Sequence, residues 1–120
     1  MLINQREFIL IKDTSDRHTI FKVSCEEIIA FEAKGNYVVL HAISETYKSY
    51  IGISVVAELF KNDSRFLQLH RSFIISVQHI RFFRGDNVTL KGGLSFNVGD
   101  MYRQNFVKLV ATHIIKGVKI

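Results

Sequence analysis

The chain has no proline and a single cysteine, and it contains no long apolar run. Without proline, every chain reversal must rest on Gly, Asn, Asp or Ser, which suits a mainly antiparallel sheet protein with tight turns. One cysteine, Cys25, excludes an intrachain disulfide framework and fits a reducing cytoplasm. No apolar stretch approaches the roughly 18–20 residues that span a bilayer. Arg6 and Glu7 interrupt the only short apolar stretch at the amino terminus, so no signal-peptide pattern is present. These absences predict a soluble cytoplasmic protein with no membrane partner.

Chemical motifs are missing as well. The five histidines (His18, His41, His70, His79 and His113) show neither HExxH nor paired-cysteine spacing, which leaves no metal site to expect. There is no G-x-S-x-G elbow, P-loop or G-x-G-x-x-G turn. The expectation is a protein that is not an enzyme and carries no cofactor. Cys25 sits at a predicted helix N-terminus, where the dipole lowers a thiol pKa, and this would be the basis of a redox sensor. Its ordinary explanation is a small buried hydrophobe.

What is present is a lopsided charge. Residues 1–60 hold six Lys/Arg against eight Asp/Glu, whereas residues 61–120 hold ten against three. A half-chain of net +7 favours a polyanionic partner, because neutralised phosphates release condensed counterions. A solvated basic face is the plain alternative.

Apolar alternation predicts strands over 8–12, 18–23, 29–33, 37–42, 46–51, 66–69, 72–75, 80–84, 88–91 and 94–98. Lys34-Gly-Asn36 reads as a tight turn in which Gly and Asn tolerate positive φ. Ser24-Cys-Glu-Glu27 has capping-box spacing and predicts one helical turn. Val56, Leu59 and Phe60 stand on one face of a short helix over 54–60. Tyr102, Phe106, Leu109, Val110 and His113 have helical spacing, with Gly117 as a stop and Asp100 as the N-cap. One domain, 1–120, is expected, built mainly of antiparallel strands in small packed sheets with two or three short helices, one at the C-terminus.

Phe66-Leu-Gln-Leu-His-Arg-Ser-Phe-Ile-Ile-Ser76 sets a basic tripeptide between two strands, where side chains can be held rigidly at a surface. Together with Ile29-Ala-Phe-Glu-Ala33, Gly35-Asn-Tyr-Val-Val-Leu-His41 and Val98-Gly-Asp100, it resembles the LytTR family of bacterial DNA-binding domains over roughly residues 8–110. The resemblance implies an elongated, ten-stranded all-β sandwich that puts loops into successive grooves of double-stranded DNA. It further implies paired direct repeats, a homodimer on DNA, and a two-component parent system with a receiver domain and sensor kinase. A stand-alone regulator is the other form.

Three surfaces carry over from the resemblance: Lys34, Asn36 and Tyr37; His70, Arg71 and Ser72; and the approach to the last helix, with Asn97, Arg103 and Lys108. Each has a plainer explanation. Arg71 could belong to a surface ion pair, His70 be satisfied by backbone, Asn36 serve turn chemistry, and Tyr37 suit core or contact. Arg103 and Lys108 suit a solvated helix face. The chain departs from the family pattern at Gly99-Asp100, where Ser-Arg is common, at Gln68, where Arg is usual, and at Ser76, where Asn is usual. Gln68 and Asp100 keep open a second reading, a LytTR-like protein-interaction module.

Overall fold

The computed structural model describes residues 5–16 and 18–116. Within them lie ten strands: β1 (Phe8–Lys12), β2 (Ile20–Ser24), β3 (Ile28–Lys34), β4 (Tyr37–Ala42), β5 (Thr46–Ser49), β6 (Phe66–His70), β7 (Phe73–Ser76), β8 (Ile80–Arg84), β9 (Asn87–Leu90) and β10 (Ser95–Asn97). Helix α1 (Ile53–Leu59) joins β5 to β6, and α2 (Arg103–His113) closes the chain. Three 3₁₀ turns, at Cys25–Glu27, Val77–His79 and Asp100–Tyr102, redirect it between strands. All pairings are antiparallel and form three sheets, β1-β2, β5-β4-β3-β7-β6 and β10-β9-β8. The molecule is elongated, with principal extents of 62 × 37 × 26 Å.

The central five-stranded sheet is covered on both faces, which explains why Ile28-Ile-Ala-Phe31 reads as a continuous apolar run. One face carries Phe31, Val38, Leu40 and Ile74 against Ile9, Ile11 and Val23 of the first sheet and Val56 and Phe60 at α1. Phe31, Phe60 and Phe66 form its aromatic centre, with Phe60 and Phe66 ring centroids 4.3 Å apart. The other face carries Ala30, Leu69, Phe73 and Ile75 against Val88, Leu90, Phe96 and Val98. Full burial of one such side chain contributes about 2 kcal/mol, so two cores sharing one sheet hold the halves together.

Three bulges make this double core possible. Register shifts fall between Ile28 and Ala30, Gln68 and His70, and Ile80 and Phe82. An extra residue breaks the strict alternation of a strand and re-aims its side chain. Ile29 thereby joins the second core while Ile28 stays in the first, and His70 comes to stand opposite Phe73 on the second-core face rather than on the face of Gln68.

Several local expectations are corrected. Ser24 precedes the first 3₁₀ turn but makes no side-chain cap bond, so the capping box is not formed. Leu59 is exposed, and Ile53 and Ala57 pack beside Val56 and Phe60 instead. Among non-glycine described residues none has positive φ, so the Gly35-Asn36 turn uses Gly35 alone, at φ +59°, the sign pattern of a type II′ hairpin. Helix α2 ends at His113 with extended Ile114 as its C-cap, and Gly117 lies outside the described residues. Cys25 is buried, and burial pushes its thiol pKa up rather than down. A dipole cannot activate a thiol that desolvation holds protonated.

Candidate nucleic-acid interface

Hydrogen bonding brings four loops to one edge of the molecule. Lys34 pairs with Tyr37 to close the β3–β4 turn. Strand β7 runs antiparallel to β3 with Phe73 opposite Glu32, so the β6–β7 turn lies beside the first one, tied by the Ala33 amide donating to the Ser72 carbonyl at 2.8 Å. The Gly99 amide donates to the Leu69 carbonyl at 2.9 Å, which brings the segment after β10 against the end of β6. The Val98 amide donates to the Asp86 carbonyl at 2.9 Å, which adds the β8–β9 turn.

His70 is the brace of this edge. The Ser72 amide donates to His70 Nδ1 at 3.0 Å, which demands a lone pair there and leaves the proton of a neutral ring on Nε2. The ring meets Phe73 and Phe96 edge-on at centroid distances of 5.5 and 6.1 Å, while those two phenyls stack at 4.6 Å. Gln68 braces the same turn from the other side, its Nε2 within 3.4 Å of the carbonyls of His70 and Arg71. Asn105 on α2 donates to the Gln68 carbonyl at 3.2 Å. The residue that sequence comparison marks as a lost cation is thus part of the frame that holds Arg71, a role that only the fold reveals.

Lys34, Asn36 and Arg71 are exposed at the edge, and no ion pair among the described residues engages Lys34 or Arg71. Tyr37 is half-buried, with Lys48 Nζ 5.6 Å from its ring centroid, which adds a cation that sequence reading missed. Arg103 reaches Asp86 at 3.3 Å, an ion pair about half exposed on both sides. Asn97 accepts a hydrogen bond from Asn87 Nδ2 at 3.0 Å. Lys108 is not brought to the edge. It lies more than a turn further along α2 and lines an open groove with Lys61, Phe66 and Leu109.

Asp100 does not cap α2. It is the first residue of the 3₁₀ turn, Gly99 precedes that turn, Tyr102 is the N-cap of α2, and no side-chain cap bond is made at either. It is exposed, and follows Gly99, whose amide binds the Leu69 carbonyl, and precedes Arg103, which pairs with Asp86. Among the described residues no three His, Cys, Asp or Glu side chains gather as a metal site, and no helix is long and apolar enough to cross a membrane.

Small antiparallel sheets whose loops are tied together along one edge define an all-β domain of the loop-presenting kind. The family model described as the LytTr DNA-binding domain matches residues 18–111, and the chain belongs to the LytTR family of DNA-binding domains. Among solved structures it is similar to the LytTr DNA-binding domain of a protein described as a methyl-accepting/DNA response regulator from Bacillus cereus. That match has a TM-score of 0.73 and 22% identity, and covers 88% of this chain and 98% of the other. No curated protein matches the sequence.

Proposed function

We propose that this chain, as one domain over 1–120, is a sequence-specific double-stranded DNA reader that serves as the output module of a transcriptional regulator. The observation that carries this reading is the alignment of the four loops, with Lys34 and Arg71 exposed and unpaired on a rigid frame. Arg71 reads a base edge, or enters a narrow minor groove where the negative potential is enhanced. Lys34, Asn36 and Ser72 hold phosphates and fix register. Tyr37 and His70 act as positioning residues, and Asn97 and Arg103 extend the contact at the far end of the edge. Lys108 has the weakest claim, because the groove it lines lies off the edge.

Paired direct repeats, two copies on DNA, and a receiver domain with its sensor kinase in the cytoplasm complete the reading. Enrichment from a randomised duplex pool at two salt concentrations tests it. A repeated motif, bound with affinity that falls steeply with salt, is the expected result. A second reading, a LytTR-fold module that pairs with another protein, is favoured by one observation: the third loop carries the exposed Asp100, and its Arg103 is already engaged by Asp86. The absence of any enriched motif would transfer the assignment to that module.

A further inference from the structure

The outward face of the β8-β9-β10 sheet belongs to neither core. Register places Phe82, Thr89 and Ser95 in one cross-strand row and Arg84, Asn87 and Asn97 in the next. The row between them, Phe83, Val88 and Phe96, turns inward to the second core. The extra residue at the β8 bulge is Arg81, and it is exposed, as are Phe82 and Arg84. The bulge therefore sets a second guanidinium beside a face that strict alternation would have given only one.

No carboxylate stands in either outward row, and no ion pair among the described residues engages Arg81 or Arg84. The acid of the adjoining turn, Asp86, is held by Arg103 at 3.3 Å. The rest of the face is hydroxyl and amide: Thr89 Oγ1 donates to Asn87 Oδ1 at 3.4 Å, and Asn87 Nδ2 donates to Asn97 Oδ1 at 3.0 Å. Guanidinium, hydroxyl and amide groups with no acid among them are the donor set that meets phosphate and sugar oxygens. The Arg84 row also abuts the Gly85-Asp86 turn, so the face runs on from the loop edge without a break.

We propose that this outer face is a phosphate track for the duplex flanking the segment that the loops read. Arg81 and Arg84 neutralise backbone phosphates, and Thr89, Ser95 and Asn97 add uncharged hydrogen bonds. The inference rests on the DNA-reading function proposed above and adds to it a longer, sequence-blind footprint. An acidic protein surface is the competing occupant, since an exposed aromatic flanked by arginines also suits a protein hot spot.

The test uses the full chain and duplexes that carry the enriched motif with short or long flanks, titrated with salt. Long flanks should strengthen wild-type binding, and the R81A/R84A variant should lose that gain. Its slope of log affinity against log salt should flatten by roughly two, at about 0.9 per phosphate neutralised, with the enriched motif unchanged. R81K/R84K should restore the slope, which separates lost charge from lost folding. An unchanged slope, or wild-type binding indifferent to flank length, overturns the track. So does loss of the motif in R81A/R84A, which would make the arginines base readers. A wild-type chain that enriches a motif but shows an unaltered slope in the variant removes this inference alone, whereas one that binds no duplex at all removes both.

Discussion

Gly99 and Leu69 are joined by a backbone hydrogen bond of 2.9 Å, and that bond sets the third loop against the second. A side chain at Gly99 would start 3.4 Å from Tyr102 Cδ2 and 3.7 Å from His70 Cα, which is ordinary van der Waals contact. The glycine has extended backbone, φ −74° and ψ 150°, which any residue adopts. The family's more common serine is therefore sterically admissible, and what distinguishes this chain at the third loop is the charge of Asp100.

Asp100→Arg should accordingly tighten duplex binding several-fold at low salt and steepen the salt dependence by about one phosphate contact. Asp86→Asn should act in the same direction but more weakly, because it frees Arg103 from an exposed ion pair worth at most about 1 kcal/mol. Fluorescence anisotropy with a labelled duplex over a salt series measures both. Unaltered affinity in Asp100→Arg would place that loop away from DNA.

Asp63 accepts from Arg65 Nη2 at 2.6 Å and from its Nε at 3.0 Å, with a further bond from the Arg65 amide at 3.0 Å. The Arg65 side-chain hydrogen bonds are the main cause holding the Asp63 carboxyl below the usual carboxylate range. A carboxyl with a depressed folded pKa stabilises the protein above its unfolded value, and that contribution is lost as pH falls through the folded one. Stability should thus decline below about pH 4, whereas Asp63→Asn should show a flatter acid limb. At neutral pH the same variant should cost about 1 kcal/mol, since it replaces charge-assisted hydrogen bonds to a partly buried guanidinium that keeps its bond to the Arg6 carbonyl. Denaturant melts from pH 3 to pH 7 decide both points.

Ser76 Oγ is buried and lacks a hydrogen-bond partner among the described residues. An orphaned hydroxyl carries its desolvation penalty without return. Ser76→Ala should raise stability by about 1 kcal/mol and leave DNA binding unchanged, as read by thermal unfolding and anisotropy. A destabilised variant would point to a partner that the hydroxyl already has.

Cys25 packs in the first core beside Ile28 and Phe31. Its thiol, held protonated by burial, should react with an alkylating reagent only as fast as the chain opens. The rate should rise with denaturant in parallel with unfolding. Fast labelling under native conditions would contradict the burial and revive the redox reading.

The strands were legible in the sequence because their apolar alternation is regular, as in Val88, Leu90, Phe96 and Val98, all of them buried. The bulges at Ile29, Leu69 and Arg81 were not, because one extra residue in a strand leaves the composition of the run unchanged while reversing which face it serves. The same limit applies at the interface. Lys34 and Arg71 stood out as basic residues at turns, but the tie of Asn105 to Gln68 and the pairing of Arg103 with Asp86 span elements that meet only in the folded chain. Asp100 misled for a related reason: a short 3₁₀ turn precedes α2 and moves its N-cap two residues on, from Asp100 to Tyr102.

The most direct test of the DNA-reading edge is to compare the base preferences of the wild-type chain and Arg71→Ala, selected from one randomised duplex pool at the same salt. Preference should relax at one or two positions of the motif, at a cost of about 1–3 kcal/mol there, while the remaining positions keep their order. A variant that retains the full motif, with affinity lowered uniformly or not at all, would contradict Arg71 as the reader at the centre of this edge.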